Sequence, residues 1–403
     1  MSILLAVIYL LFISLGLSDS LLGSSWPAMY PSLRVSVSWA GILSMIIAGG
    51  SIISSLLCDR LIRELRTGAT LLGCAVLSTT ALIGYSISSH FWQLCLWSVL
   101  YGISIGIENT AINNYVITRY KSRYVNWLHC VWGVGSAAGP YIISYCLTNG
   151  SNWNTGYRFI GIIYIGITIM MVMSLPLWKH SSKEPAPAKI AAKKLSARQA
   201  LHLPRAKAVL LSFFCYHALQ VTAGLWASSY LVLNKGFSEN EAARWTSLFY
   251  LGITFGRLVC GFVSDRLGDT MMIRAGQALA FLGTVCLLLP LGNGMAFTGL
   301  MLIGAGCAPI LPSLLHKTPD NFGKENVASI MGPQMASANV GSTFMPPLFG
   351  ALSGLIGIWF YPVYLLFFIL LMTFLLEWVN RGQKENADNI LEPINTIEER
   401  SFS

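Results

Sequence analysis

The chain has 403 residues, of which 54% are apolar and only 11% are charged, and its formal net charge is +9. Soluble proteins carry about 25% charged residues, so the composition excludes an ordinary soluble domain and indicates a membrane protein. The apolar residues form continuous runs of about 20, long enough to cross a bilayer as helices. These runs do not alternate with a period of two, which excludes a transmembrane β-barrel.

Apolar runs between polar breaks predict an all-α membrane protein with twelve transmembrane helices in two six-helix bundles. The predicted helices cover residues 3–31, 38–58, 67–88, 91–118, 125–148, 156–178, 207–233, 241–264, 272–291, 294–316, 326–353 and 357–380. The corresponding domains are an N-terminal bundle over 1–178, a polar linker over 179–206, a C-terminal bundle over 207–380 and a tail over 381–403. The last part of the tail is acidic and is expected to be disordered.

Basic residues predict how the helices are oriented. One side holds most of them, including Arg60, Arg119 and the lysines of the linker, and the opposite side holds only Arg34, Arg158, Lys235 and Arg244. Positive charge accumulates in cytoplasmic loops, so both termini and the linker are expected to be cytoplasmic. The first run has no basic residue before it, which favours a retained span over a cleaved signal peptide. We expect a multi-pass plasma-membrane protein, of the bacterial inner-membrane type, in which the net charge requires no nucleic-acid partner.

Two carboxylates are predicted to lie deep in the membrane. Asp19 interrupts the first span, and Glu108 lies midway along the fourth. A charge at the centre of a bilayer costs at least a few kcal/mol, so such residues are expected to face each other or a water-filled cavity. The alternative is a neutral acid bonded to a neighbouring helix. A carboxyl that can alternate between its two protonation states is what a proton carrier requires, which makes both residues candidates for proton coupling.

A short motif occurs in both halves of the chain. SSLLCDRLIRELR surrounds Asp59 and GFVSDRLGDTMMIR surrounds Asp265, about 206 residues later. An aspartate at one helix end can accept hydrogen bonds from the first amides of a neighbouring helix, and an arginine can pair across the turn. We therefore expect a gate at this side of the membrane. Its predicted residues are Asp59, Arg60, Gly261, Asp265, Arg266 and Gly268.

The segment GRLVCGFVSDRLGD, residues 256–269, resembles the GxxxDRxG signature of the major facilitator superfamily. The first copy departs from it, with Ser55 and Ile62 where glycines stand in the signature. The resemblance covers the whole chain through its twelve helices and central linker. It implies two bundles that rock about a central site near the midplane.

Other segments resemble the L-fucose:proton symporter and sugar-permease branch of that superfamily. Asp19 precedes a Leu-Leu pair after one serine, and Glu108 follows the glycines Gly102 and Gly106. LHCVWGVGSAAGP (128–140), GAGCAPILPS (304–313) and QMASANVGSTFMPPLFG (334–350) resemble its fifth, tenth and eleventh helices. In that branch the first-helix aspartate and the fourth-helix glutamate serve substrate binding and proton coupling, so the resemblance implies these roles for Asp19 and Glu108.

Polar and aromatic residues deep in the spans are the candidates for substrate contact. His129 and Trp132 share a helical face, as do His217 and Gln220. Amides and imidazoles can bond sugar hydroxyls, and indole rings can stack on a sugar ring. The alternatives for each are interhelical bonding or interfacial anchoring. The predicted substrate-binding residues are Asp19, Trp26, Asn109, Asn113, His129, Trp132, His217, Gln220, Trp226, Gln334 and Asn339.

These features predict a secondary active transporter, a proton-coupled symporter of a small neutral solute such as a monosaccharide, working as a monomer. The alternatives are a proton-coupled drug exporter, favoured by the partial GxxxGP match at Gly135 and Gly139-Pro140, and a transport-dead nutrient sensor. Sodium coupling stays open, because a carboxylate can bind either cation. An enzyme is not expected, since no metal-ligand cluster, nucleophile elbow or Walker loop occurs. No metal site, disulfide framework or cofactor is expected.

Overall fold

The structure is a computed structural model that describes residues 3–120, 122–181, 199, 203–290, 292–323 and 326–401. Its helices are α1 (Ile3–Asp19), α2 (Leu21–Ser32), α3 (Ala40–Leu65), α4 (Thr67–Ile87), α5 (Phe91–Arg119), α6 (Ser122–Thr148), α7 (Trp153–Ser181), α8 (Ala206–Lys235), α9 (Glu239–Leu288), α10 (Asn293–His316), α11 (Thr318–Phe322), α12 (Val327–Ile356) and α13 (Tyr361–Ser401). Two 3₁₀ turns, Val37–Trp39 and Ile358–Phe360, precede α3 and α13.

The predicted all-α membrane fold is confirmed. Eleven stretches of the described residues are long and apolar enough to cross a bilayer. They include α1 and α2 taken together and two parts of α9, Glu239–Ser264 and Arg266–Leu288. Helix α12, with 30 residues and three internal prolines, adds a further helix of comparable length.

Two features differ from the sequence prediction. The first span is broken at Ser20, so α1 and α2 replace one predicted helix. Helix α13 continues to Ser401, so the prediction that the last part of the tail, 387–403, is disordered is wrong for residues 387–401. The eighth and ninth predicted spans are present as the two parts of α9, which are separated by a kink at the non-helical Gly268. Most of the predicted linker, 182–198 and 200–202, lies outside the described residues.

The helices form two groups, α1–α7 and α8–α13. Within the first group α1 packs on α6, α3 on α5 and α4 on α7; within the second α9 packs on α10 and α8 on α12. The groups meet where α2 packs on α8, α3 on α12 and α6 on α9. Gly23 makes the first of these contacts possible, because a Cβ there would come within 2.8 Å of the Gly224 and Leu225 carbonyls.

Because the spans alternate in direction, the bundle has two ends. We call the end that carries Ser32, Thr148 and Lys235 the Ser32 end, and the end that carries Asp59 and Gly268 the Asp59 end. At the Ser32 end the two groups are joined by hydrogen bonds from Asn240 Nδ2 to Thr148 Oγ1 at 3.1 Å and from Ser228 Oγ to the Ser24 carbonyl at 3.3 Å. These bonds and the α2–α8 contact hold the two groups of helices together on that side.

Candidate functional site

Asp19 lies at the break between α1 and α2. The sequence around it is rich in serine, and the hydroxyls of Ser14, Ser18 and Ser24 donate to backbone carbonyls three or four residues earlier. Such bonds compete with the helical ladder and bend helices. The break therefore follows from the local sequence, and it places the Asp19 carboxylate on the exposed wall of an internal space.

Trp132 on α6 orients the Asp19 carboxylate. Helices α1 and α6 cross in backbone contact, because a Cβ at Gly16 would overlap the Trp132 carbonyl and a Cβ at Gly135 would overlap the Ile13 carbonyl. This approach brings Trp132 Nε1 to 3.0 Å from Asp19 Oδ2, to which it donates. Tyr101 on α5 donates to Oδ1 at 3.5 Å. Both oxygens keep lone pairs that can accept from a solute hydroxyl.

A central cavity of about 430 Å³ lies beside Asp19, between the two groups of helices. Its polar lining consists of Ser18, Asp19, Ser44, Ser51, Asn109, His217, Gln220, Asn339 and Ser342, and its aromatic lining of Tyr101, Trp132, Phe249 and Tyr250. Six predicted substrate residues are thus brought together, three from each group: Asp19, Asn109 and Trp132, and His217, Gln220 and Asn339. Asp19 is the only carboxylate among the lining residues.

The other predicted substrate residues do not line this cavity. The indoles of Trp26 and Trp226 are fully buried and donate to the carbonyls of Val37 and Pro346, at 2.7 and 3.0 Å. Gln334 is also buried and exchanges hydrogen bonds with the Thr318 hydroxyl. Asn113 Nδ2 donates to Asn109 Oδ1 at 2.8 Å, one helical turn from the lining.

His129 lies closer to the Asp59 end than Trp132, one turn earlier on α6. Its ring packs edge-on against Phe12, with 5.6 Å between the ring centroids. Its carbonyl accepts a hydrogen bond from Arg257 Nη1 at 3.1 Å. This places His129 at the seam between α6 and α9, where it joins the two groups of helices.

Glu108 is buried beside the cavity, with 1% of its surface exposed. Its Oε2 has no hydrogen-bond partner among the described residues. It lies within electrostatic range of Asp19, Tyr101 and Tyr164. The Tyr164 hydroxyl is bonded at 2.7 Å to the hydroxyl of Ser18, the residue before Asp19. The hydroxyls of Tyr101, Tyr164 and Ser18 therefore lie near the two carboxyls.

Arg257 is the main residue near the site that the sequence reasoning missed. It lies in the apolar part of α9, inside the segment 256–269 and four residues before Gly261, the first glycine of the signature. Its guanidinium lies 5.3 Å from the centroid of the Trp132 ring, within the range of a cation–π contact. Arg257 thus contacts the far side of the residue that orients Asp19. Arg257 lies inside the predicted span 241–264 and not in a loop. A basic residue at such a position is costly and indicates a functional role, so it could have been selected from the sequence.

The predicted gate residues lie at the Asp59 end, as the motif requires. Asp59 and Arg60 are exposed, and Arg60 pairs with Glu64 one turn later in the same helix, at 2.9 Å. Gly261 and Arg266 are also exposed, and Gly268 breaks α9 with φ 71° and ψ 161°. The side-chain placement of Asp265 lies outside the described part of the chain. A gate at this motif stays a prediction.

Metal-binding side chains do not cluster in the part of the chain that the structure describes. No three His, Cys, Asp or Glu residues there come together in a way that could hold an ion. The lining groups themselves can form hydrogen bonds, stack on rings and exchange protons through the Asp19 carboxyl and the His217 imidazole.

Comparison with known proteins identifies the family. The family model of the Major Facilitator Superfamily matches residues 8–242 and 209–396. The chain is 24% identical over 408 residues to "Bypass of stop codon protein 6" of Saccharomyces cerevisiae, covering 92% of this chain and 80% of that protein. It is 21% identical over 355 residues to the glucose/mannose transporter GlcP of Bacillus subtilis, covering 85% and 86%.

Solved structures show the same fold. A bacterial homologue of the human lysosomal transporter Spinster, in an inward-facing and occupied conformation, superposes with a TM-score of 0.73 at 13% identity, over 94% of this chain and 96% of that one. The chain belongs to the Major Facilitator Superfamily, and it is a membrane transporter. The narrower resemblance to the L-fucose:proton symporter branch is not established by these matches.

Proposed function

We propose that this transporter is a proton-coupled symporter of a small neutral solute, with a monosaccharide as the substrate class. The observation that carries the proposal is the Asp19 carboxylate, held at the cavity wall by Trp132 and Tyr101. Opposite it, His217, Gln220 and Asn339 supply donors and acceptors from the second half. A polyhydroxylated ring can bond to both halves at once. A solute shifts the equilibrium between two conformations only if it binds one of them better, and contacts to both halves allow this.

The aromatic lining supports a sugar-like substrate. Trp132, Phe249 and Tyr250 offer ring faces within a cavity of about 430 Å³. Apolar ring faces can pack on the CH face of a pyranose while the polar groups bond its hydroxyls. The likeness to a glucose/mannose transporter over 85% of the chain supports the same class.

Glu108 is proposed as the proton-coupling carboxyl, acting together with Asp19. A buried charge without a partner is costly, so proton exchange at Glu108 depends on whether water and the cavity groups reach it. Binding of solute at Asp19 changes the field at Glu108, since the two carboxyls interact electrostatically. Coupling of this kind is reciprocal: a solute that favours one protonation state is bound more tightly in that state.

Arg257 favours a second candidate, a solute that carries a carboxylate. The arginine contacts Trp132 from outside the lining, and its reorientation would bring a cation to the cavity. A neutral sugar does not need this cation, whereas a small organic anion does.

The positions of the basic residues support placing the Asp59 end in the cytoplasm, with both termini, in a plasma membrane.

The coupling role is tested in proteoliposomes with Glu108→Gln. The probe is the labelled sugar that the wild-type protein accumulates from D-glucose, D-mannose and L-fucose. We expect the variant to lose accumulation against a gradient while it keeps counterflow exchange, because exchange needs solute binding but no net proton movement. Asp19→Asn is expected to weaken both activities.

Asp320→Asn is the control, since it neutralises an exposed acid on α11 that belongs to neither the cavity nor the predicted gate. It should retain both activities. Unchanged pH-driven accumulation in Glu108→Gln would remove Glu108 from the mechanism, and full activity in Asp19→Asn would remove the carboxylate that carries the proposal.

A further inference from the structure

An apolar groove opens on the outside of the bundle, along the seam where α6 meets α9. It has a volume of about 510 Å³ and lies apart from the central cavity. Small residues create it: Ala137 and Ala138 on α6 leave room between the larger Val134 and Tyr141. Leu251 on α9 forms part of the opposite wall. Val134, Tyr141 and Leu251 are 52%, 55% and 44% exposed, so the groove faces the surrounding lipid.

A small polar pocket of about 240 Å³ continues this groove at the Ser32 end. Tyr141 and Arg244 line both spaces, and the pocket adds Thr148, Asn240 and Glu241. From Arg244 to Leu251 the helix rises about 10 Å. The combined site is therefore amphipathic: it is polar near the membrane surface and apolar for about 10 Å towards the membrane centre.

The pocket contains one cation and one anion. The Arg244 guanidinium lies over the rings of Tyr141 and Trp245, at 5.9 and 5.2 Å from their centroids. It takes part in none of the ion pairs formed within the described residues. Glu241 caps α9, its Oε2 accepting from the Ser238 hydroxyl at 2.5 Å and the Ser238 amide at 3.2 Å. Each of the two charges can thus meet an opposite charge on a ligand.

We propose that this seam binds a bilayer phospholipid whose headgroup carries a phosphate and a primary ammonium, as phosphatidylethanolamine does. Arg244 contacts the phosphate, for which its planar guanidinium is suited. The ammonium donates to Glu241 and its neighbours, and one acyl chain occupies the apolar groove. The trimethylammonium headgroup of phosphatidylcholine has no N–H to donate. The glycerol headgroup of phosphatidylglycerol brings no positive charge to Glu241. The site therefore binds both lipids more weakly.

The site lies at an interface between the two halves of the transporter. Helices α6 and α9 belong to different groups, and they are in contact along this seam. A lipid held by both helices stabilises the arrangement seen here, and its release accompanies any motion that separates α6 from α9. Lipid composition should then change the transport rate without changing the central cavity.

The proposal is tested by native mass spectrometry of the full chain taken from bilayers with equal amounts of dioleoyl phosphatidylethanolamine, phosphatidylcholine and phosphatidylglycerol. We expect one retained phosphatidylethanolamine, preferred by about tenfold, the ratio that about 1.4 kcal/mol gives. Arg244→Gln should remove the preference, and Ala138→Phe, which fills the groove, should reduce retention of all three lipids. Arg158→Gln, an exposed arginine at the same end outside this pocket, is the matched control and should behave as wild type.

Retention of the three lipids in equal amounts by the wild type would overturn the proposal without any variant. Stronger retention of phosphatidylglycerol would show that the site recognises negative charge alone, which also contradicts it. Equal losses in Arg244→Gln and Arg158→Gln would show a general surface effect. Because the wild-type measurement decides by itself, a variant that fails to fold does not leave the question open.

Discussion

Arg66 and Gly268 adopt nearly the same backbone conformation, with φ 69° and ψ 155° at Arg66 and φ 71° and ψ 161° at Gly268. Each joins the second span of its half to the third. The internal repeat pairs Asp59 with Asp265, and the same offset of 206 would pair Gly268 with Ile62. In the first half the turn comes one helical turn later, because Ile62 cannot easily adopt this conformation. Arg66 adopts this conformation instead, and its backbone is strained.

Replacing Arg66 with glycine should stabilise the protein. Non-glycine residues in this region of φ and ψ cost about 1–3 kcal/mol, and Arg66→Gly removes that strain at a position where the helix has already ended. A rise in melting temperature in detergent checks this. Arg63→Gly, inside the last turn of α3, is the control and should be destabilising by about 1 kcal/mol. A lower melting temperature for Arg66→Gly than for wild type would contradict the assignment of strain.

Trp132→Phe should weaken solute binding while it preserves the cavity shape. Phenylalanine keeps a ring against Arg257 but loses the N–H that holds Asp19 Oδ2 at 3.0 Å. A hydrogen bond to a charged group contributes about 1.5–3 kcal/mol, so the apparent KM for the transported solute should rise about tenfold or more. Initial rates of uptake over a range of solute concentrations measure this.

Trp127→Phe is the control for that substitution, since Trp127 lies on the same helix, 60% exposed and away from the cavity. Its KM should match that of the wild type. If Trp132→Phe also left KM unchanged, the orientation of Asp19 by the indole would have no role in binding.

Arg257→Gln should loosen the seam between α6 and α9 near the Asp59 end. The substitution removes the bond to the His129 carbonyl and the contact with the Trp132 ring. The native Cys130 and Cys260, both half-buried and close in sequence to His129 and Arg257, report on the opening. Their labelling by a maleimide, followed peptide by peptide with mass spectrometry, should become faster.

Arg274→Gln is the comparison for that experiment, because Arg274 forms its bidentate pair with Glu377 inside the second half. It should leave the labelling of Cys130 and Cys260 unchanged. Equal acceleration in both variants would show a general loss of stability instead of a local opening.

The positions of the helices could be predicted because apolar runs of membrane length have few alternatives. The positions at which the helices break or turn were harder to predict. The turn at Ser20 depends on hydroxyls that bond to the backbone, and the delayed turn at Arg66 depends on which residue can take a positive φ. Neither is visible in hydropathy, although the serine-rich sequence around Asp19 carried the relevant signal.

The cavity residues could be predicted only in part. Polar or aromatic character selected Asp19 and Gln220, which line the cavity, and also Trp26 and Gln334, which do not. The difference lies in the partners: the indole of Trp26 is satisfied by a backbone carbonyl and the amide of Gln334 by Thr318, both through tertiary contacts. Tyr250, which lines the cavity, was missed because a tyrosine in an apolar run resembles an ordinary packing residue.

The central claim is that Asp19 and Glu108 couple a neutral solute to protons, and internal pH tests it most directly. Proteoliposomes with an internal pH dye receive an inward proton gradient and then D-glucose, D-mannose, L-fucose or a cationic dye. We predict acidification that depends on a sugar, that persists when sodium is absent and that is lost in Glu108→Gln. No sugar-dependent acidification, or movement of the cationic dye against the proton flux, would contradict the account and favour an exporter.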